Sequence, residues 1–309
     1  MEKIFITGGA GFIGSSLVEK LVELGYDVVV YDNLLRGNKI PTTLMSKIHF
    51  IKGDVRNQEL LVNSSKGCNV IFHFAAVSGV DIVADNPVET MEVETIGMQN
   101  IAEACNVNGI KKVLYASTSG IYGHNAIEQA VTEDIIVDPR TSYAMAKRYN
   151  EIYLGALHEE KGIDAIALRF FNVYGPRQDN RMVIPRFIEQ ALSNKPITVF
   201  GSGKQTRDFT WIDDTIEACI NLMKIVSGYH IVNIANENEG CIEDLAYAIK
   251  KVTKSNSEIQ YIAAPKNRYD YEVERRVGSS EKLFRLTGQK PNTKLEEGLK
   301  IIQEDSLKK

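Results

Sequence analysis

The sequence predicts an α/β fold built on a doubly wound parallel sheet, and three observations carry that expectation. Short apolar runs alternate with amphipathic segments from the start of the chain. The first run, KIFIT, leads straight into glycines. At 309 residues the chain is long enough to bury about three quarters of its unfolded surface.

Taken in order, the pattern gives a strand over 3–7, an amphipathic helix over 12–24, strands at 28–31, 48–52 and 70–74, a long helix at about 88–107 and a strand at 112–116. A helix at about 142–160 then leads into IDAIALR, a strand at 163–169 that extends the same sheet. The order changes after that point. A helix at 183–193, a short strand at 197–200 and the glycine-rich GSGKQ interrupt the alternation, and FTWI (209–212) and IVNI (231–234) return to strand character. Helices near 242–253 and 294–303 close the chain. The expected organisation is a dinucleotide-binding domain over 1–170, to which 208–235 returns, and a smaller α/β substrate-binding lobe from 171–207 and 236–309. The cleft should lie at the carboxyl ends of the strands.

Composition excludes several functions. With 36 basic and 40 acidic side chains there is no field to recruit nucleic acid or an anionic membrane, so an anionic ligand has to be held by local groups. Cys68, Cys105, Cys219 and Cys241 are scattered and the five histidines do not cluster, which suits a reduced compartment and no metal. No apolar run approaches the roughly 18 residues of a membrane helix, so a soluble, cytoplasmic protein is expected.

TGGAGFIG at 7–14 falls between a strand and a helix. Gly8, Gly11 and Gly14 let the chain turn tightly and bring backbone N–H groups against a pyrophosphate, and here the absence of side chains is the functional requirement. Asp32 ends the second strand, where a carboxylate accepts hydrogen bonds from an adenosine ribose and repels a 2′-phosphate. NAD is therefore favoured over NADP, with Arg36 nearby as the one feature that would suit NADP. Asp54 follows the third strand, where an adenine contact and a plain strand-end turn both remain open.

In SYAMAK, Tyr143 and Lys147 stand four apart, on one face of a helix, with Cβ atoms about 5–6 Å apart. Moving a tyrosine pKa from about 10 to neutrality takes roughly 4 kcal/mol of preferential phenolate stabilisation. A lysine cation and an oxidised nicotinamide are neighbours of the right sign. Tyr143 is thereby a candidate general base.

These segments, with YDN (31–33), GDVRN (53–57), HFAA (73–76), ASTSGIYG (116–123), RFFNVYGPRQ (169–178) and GSGKQTRDF (201–209), closely resemble the extended short-chain dehydrogenase/reductase family. The resemblance spans almost the whole chain. It is to the NAD-dependent nucleotide-sugar epimerase/dehydratase branch, which includes UDP-galactose 4-epimerases. It implies a Rossmann-type sheet, a homodimer and a UDP-linked nucleotide-sugar substrate, as in that branch. In the implied active site Thr118 hydrogen-bonds the sugar hydroxyl, Tyr143 is the base and Lys147 holds the nicotinamide ribose. The implied cofactor contacts are Gly8, Gly11, Phe12, Ile13, Asp32, Asn33, Gly37, Asp54, Val55, Phe74, Ala75, Ala76, Tyr143, Lys147 and Phe171. Asn172, Arg207 and Arg268 would hold the substrate phosphates, and Val183 with the backbone from Thr198 to Phe200 would enclose the base. Without this context, a strand-end threonine such as Thr118 more often caps its own backbone.

Departures from the family choose the reaction. The 4,6-dehydratases carry Asp-Glu after the threonine, and the UDP-glucuronate decarboxylases carry a glutamate two positions after it. Ser119 and Gly120 stand there in this chain, so neither acid is present. Glu94 occupies a helix position where the family usually has asparagine, and Arg276 falls near the family's sugar-size gate, which would suit a carboxylated sugar. The expectation is a 4-epimerase. Its rivals are a 4-ketoreductase that uses the same residues and a non-catalytic dinucleotide sensor.

Overall fold

The apolar runs fold as parallel strands because each is flanked by a helix long enough to cross back over the sheet. The computed structural model describes residues 2–77, 79–124, 130–263 and 273–307. In chain order these form β1 (Lys3–Thr7), α1 (Phe12–Glu23), β2 (Asp27–Asp32), β3 (His49–Lys52), α2 (Gln58–Ser64), β4 (Val70–His73), α3 (Val80–Asp85), α4 (Pro87–Asn108), β5 (Lys112–Thr118), α5 (Ser142–Lys161) and β6 (Asp164–Phe170). They continue with α6 (Val183–Leu192), β7 (Ile197–Phe200), β8 (Thr206–Asp208), α7 (Ile212–Ile225), β9 (Tyr229–Ile234), β10 (Glu239–Cys241), α8 (Ile242–Thr253), β11 (Ile259–Ile262), β12 (Arg275–Arg276), α9 (Glu281–Thr287) and α10 (Leu295–Ser306).

Among the described residues, seven strands make one parallel sheet in the order β3-β2-β1-β4-β5-β6-β9. Its two faces are both buried, as alternate residues show: Ile4, Ile6, Val28 and Val30 pack into one apolar layer, Phe5, Val29 and Ile71 into the other. The strand order reverses between β1 and β4, which opens a crevice at their carboxyl ends. Two small sheets, β10-β8-β12 and β11-β7, lie outside this one. No described helix is long and apolar enough to cross a membrane.

FTWI is not a strand. Trp211 makes one isolated bridge to Tyr174, and Ile212 already begins α7, which the sequence reading missed. The tetrapeptide is apolar enough to suit a strand, but Asp213 and Asp214 fill the first turn of a helix, where carboxylates are favoured.

The helices nearest the crevice have defined ends. Pro87 opens α4 and Gly109, at φ 70°, closes it. The Thr141 hydroxyl accepts the Ala144 N–H at 3.1 Å to start α5. α5 is fastened to the sheet by charge as well as by apolar packing. Buried Arg169 on β6 donates to both oxygens of buried Glu151 on α5, each at 2.8 Å, and to the Tyr122 hydroxyl at 2.8 Å. The Ser117 hydroxyl adds a bond to Glu151 at 2.7 Å.

Removing one member of such a pair strands the other charge in the core. Arg169→Met should therefore cost about 3–5 kcal/mol of folding free energy in urea denaturation. Arg148→Ala, which removes the more exposed partner of the same carboxylate, should cost under about 1 kcal/mol. Equal losses in the two variants would contradict the assignment of Arg169–Glu151 as a fastening of α5.

Candidate active site

The crevice widens into a cleft of about 410 Å³ bounded by the carboxyl ends of β1, β2, β4, β5 and β6 and by the start of α6. At one end the glycines act through what they lack. Gly8 has φ 71°, and a Cβ there would meet the Ala75 nitrogen at 2.5 Å. A Cβ on Gly14 would meet the Gly8 carbonyl oxygen at 2.2 Å, so the turn and the helix can close on each other only without side chains. Gly11 is the N-cap of α1 and supplies no side chain to it, and the first turn holds no acid. Its N–H groups are thus available to a phosphate.

Asp32 stands at the rim of this cradle. Its two oxygens accept the Ala10 N–H at 2.9 Å and the Leu34 N–H at 2.8 Å. Burial pushes its carboxyl above the ordinary value, and those two N–H donors oppose the shift. Asp54 also lines the cleft, and its carboxylate is engaged by Arg56 at 3.0 and 2.8 Å. That hydrogen-bonded guanidinium, chiefly, holds Asp54 below the usual carboxylate range. Gly37, Asn33, Val55, Phe12, Ile13, Phe74, Ala75 and Ala76 line the same end, as do Arg36 and Arg181, which sequence reasoning did not pair. A glycine cradle, an uncapped helix and a ribose-facing carboxylate fit a dinucleotide.

Thr118, Tyr143 and Lys147 line the other end, so the structure brings these three residues into one cleft. Thr118 makes the backbone cap that a strand-end threonine favours. Its oxygen accepts the Gly120 N–H at 3.1 Å, capping a short turn, and its hydroxyl proton remains free to be donated. Lys147 is fully buried and donates to the Ala116 carbonyl at 2.7 Å. Its Nζ lies 5.4 Å from the centroid of the Tyr143 ring.

The electrostatics differ from expectation. The Tyr143 ring is only partly covered, yet desolvation of its hydroxyl pushes the phenol above the ordinary tyrosine value, and the Glu94 charge adds to the rise. Lys147 does not bring Tyr143 towards neutrality: burial raises the phenol, and buried Glu94, 3.0 Å from the ammonium, adds to the rise. The sequence marks Glu94 as unusual and leaves its partner undetermined. His73 carries no such mark. It is buried, bonded through Nδ1 to the Thr7 hydroxyl at 2.7 Å, and its pKa is pushed down to about 3 by burial. Such a histidine is neutral.

Phe171 is a correction to the expected cofactor contacts. Its side chain is fully buried away from the cleft, with its ring 6.0 Å from that of Tyr122. Phe170 lines the cleft instead and stacks edge-on against Phe74, because successive side chains of a strand point to opposite faces.

Among the expected substrate contacts, Asn172 and Val183 line the cleft. Asn172 has φ 34° and donates to the Asp208 carbonyl at 3.0 Å. Thr198 and Phe200 lie apart from the lining on β7, where Gln190 bonds both the N–H and the hydroxyl of Thr198. The Arg186 guanidinium lies 4.7 Å from the Phe200 ring centroid. Arg207 lies on β8, in register with Arg276 of β12, and donates to the Val273 carbonyl at 2.8 Å. Arg268 lies outside the described residues.

Comparison with known proteins agrees with this geometry. The profile of the NAD dependent epimerase/dehydratase family matches residues 4–235. A UDP-N-acetyl-alpha-D-glucosaminuronate decarboxylase from Bacillus cytotoxicus is 35% identical over 97% of this chain and 96% of its own length. A putative UDP-glucose 4-epimerase from Methanocaldococcus jannaschii is likewise 35% identical, with the same coverage of 97% and 96%. Among solved structures, a UDP-glucose 4-epimerase from Thermotoga maritima, determined with UDP-glucose, superposes with a TM-score of 0.93 at 32% identity and covers 99% of both chains. With a glycine cradle, the Asp32 carboxylate and a Thr-Tyr-Lys set lining one cleft, this chain belongs to the NAD-dependent epimerase/dehydratase family of extended short-chain dehydrogenases/reductases.

Proposed function

We propose that the protein is a nucleotide-sugar 4-epimerase, acting on a UDP-linked hexose or uronate with tightly held NAD. One observation carries this choice within the family. Thr118, Tyr143 and Lys147 line the cleft, while the two positions after Thr118 hold no acid. The similar decarboxylase and the dehydratases of the family make the choice necessary. A carboxylate at position 120 would have no room without adjustment, since a Cβ there already stands 3.3 Å from the Thr118 hydroxyl.

In this reading Tyr143 takes the proton of the sugar 4-hydroxyl, with Thr118 holding that oxygen by a hydrogen bond. Bound NAD supplies the redox chemistry, accepting the C4 hydride and returning it. Tyr143 then gives its proton back to the oxygen of the 4-keto sugar, which has turned over in the cleft, and the opposite configuration results. Positioning of C4 and of the phenol supplies most of the rate. Asn172, Val183, Arg207, Arg268 and the Thr198–Phe200 strand hold the nucleotide, so that 171–207 and 236–309 serve as the substrate lobe. Arg276, half-buried beside Arg207, suits a carboxylated sugar.

The first test is stoichiometric. Incubation with a panel of nucleotide sugars should yield a C4 epimer with no net consumption of NADH, and denatured protein should release NAD. Consumption of one reduced cofactor per product would make it a 4-ketoreductase, and loss of carbon dioxide from a uronate would make it a decarboxylase.

Tyr143→Phe keeps the ring and removes the proton acceptor. Turnover should fall about 10²–10⁴-fold with NAD still bound, and Thr118→Val should lose less. Near-normal turnover of Tyr143→Phe with cofactor in place would exclude Tyr143 as the base.

We also propose a homodimer. Val88 and Met91 on α4, and Met145, Tyr149 and Ile152 at helical spacing on α5, are exposed apolar side chains, with Ile152 57% exposed. Two helices from each subunit would bury them in a four-helix interface. Sedimentation at micromolar concentration should give a dimer, and Ile152→Glu should shift it towards monomer. A wild-type monomer would rule the interface out.

A further inference from the structure

Glu94 and Lys147 face each other with side chains 0% and 1% exposed, and Nζ lies 3.0 Å from Oε1. The other carboxylate oxygen accepts the Tyr115 hydroxyl at 2.8 Å. Asn150 braces the group from α5, donating to the Glu94 backbone carbonyl at 3.1 Å and to the Tyr115 oxygen at 2.8 Å. Lys147 donates to the Ala116 carbonyl at 2.7 Å, and its ammonium meets Glu94 Oε1 as an ion pair rather than as an aligned hydrogen bond. Burial drives Glu94 up and Lys147 down, and each partner's charge opposes the shift of the other. The close contact, together with the Tyr115 hydroxyl donated to the carboxylate, opposes the neutralisation that burial favours.

Among the described residues, the other ionisable groups packed around the pair are neutral or matched. His73 on β4 is neutral, Tyr115 on β5 is protonated and its pKa is raised chiefly by burial, and Glu151 on α5 is matched by Arg169 and Arg148. At Tyr143 the Glu94 carboxylate adds to the rise that burial causes, and the neighbouring ammonium does not reverse it. A lysine alone at this range would draw the phenol towards ionisation; the pair does not.

We propose that Glu94 is a positioning residue acting through Lys147: it fixes the ammonium and cancels its charge, so that Tyr143 yields its proton only when an oxidised, positively charged nicotinamide is seated beside it. The proposal rests on Tyr143 being the proton acceptor of the reaction proposed above. It ties the proton state of the tyrosine to the oxidation state of the site. With the positive ring present, Tyr143 is a base.

Phenolate absorbance tests this without any sugar. Wild type, Glu94→Gln, Glu94→Asn and Glu94→Asp are titrated with and without NAD, and the curve of the matching protein carrying Tyr143→Phe is subtracted from each. In wild type, NAD should lower the midpoint of Tyr143. Glu94→Gln and Glu94→Asn should each lower it by about one pH unit or more at fixed NAD, a tenfold or greater rise in the ionisation constant, and Glu94→Asp should restore the wild-type midpoint. The two amides differ in size, so a packing defect confined to one does not decide the result. An unmoved midpoint would overturn the proposal even if turnover fell, since Glu94 would then be structural. A raised midpoint would also overturn it, because it would mean that Lys147 had lost its proton with its partner. Protein that turned over no nucleotide sugar could still show the shift, which separates failure of the proposed reaction from failure of this inference.

Discussion

The buried charge layer beneath α5 is the constraint on which the site depends. Lys147 and Glu151 lie four apart on α5, each fully buried, and each faces an opposite charge from another element: Glu94 of α4 and Arg169 of β6. A buried charge stripped of its partner costs several kcal/mol, so α5 cannot rotate or slide without exposing two such charges at once. Tyr143 sits one turn before Lys147 on the same face, and its place in the cleft is set by that lock. Such a lock contributes little net stability compared with an apolar core, because desolvation offsets most of the attraction. Its effect is on registry: it holds α5 against the sheet at one rotation.

The cofactor end is governed by the opposite device. There the chain is brought together by missing side chains, with Gly8 closing on Ala75 and Gly14 on the Gly8 carbonyl. The two ends meet through β1 and β4, neighbours at the reversal of strand order, where Thr7 and His73 join their carboxyl ends by a hydrogen bond of 2.7 Å. Neutral His73 places no positive charge beside Lys147. An imidazolium there would upset the balance with Glu94.

What could be read in the sequence follows from how local its cause is. The glycine turn, Asp32 and the Tyr143–Lys147 spacing are set within a few residues, and all of them line the cleft. Strand faces are harder to read. Both faces of a parallel sheet are buried, so the adjacent pair Phe170 and Phe171 gives no alternation to say that Phe170 and not Phe171 faces the cleft. FTWI misleads for a related reason: a β-branched and aromatic tetrapeptide satisfies a strand, and only the two aspartates after it disclose a helix. The partner of Glu94 is wholly tertiary. Fifty-three residues separate it from Lys147 and 21 from Tyr115, and nothing in the sequence joins them.

The substrate side illustrates the same limit, and one carboxylate explains how its scattered parts converge. Asp208, fully buried, accepts the N–H groups of Asn236 at 2.9 Å, Glu237 at 3.0 Å and Gly278 at 3.3 Å. Asn172 donates to its backbone carbonyl, and Arg207 precedes it on β8. Burial pushes the Asp208 carboxyl up to about 7, while the three N–H donors pull it down. Two stretches of chain, 236–237 and 278, therefore share the Asp208 carboxylate, and a third, at Asn172, takes its backbone carbonyl. Placing an apolar residue at 208 would leave three buried N–H groups without partners, each costing about 1–3 kcal/mol. Asn172 is thus held by the backbone of a residue whose carboxylate gathers N–H groups 42 residues apart, 64 and 106 residues beyond Asn172 in the chain.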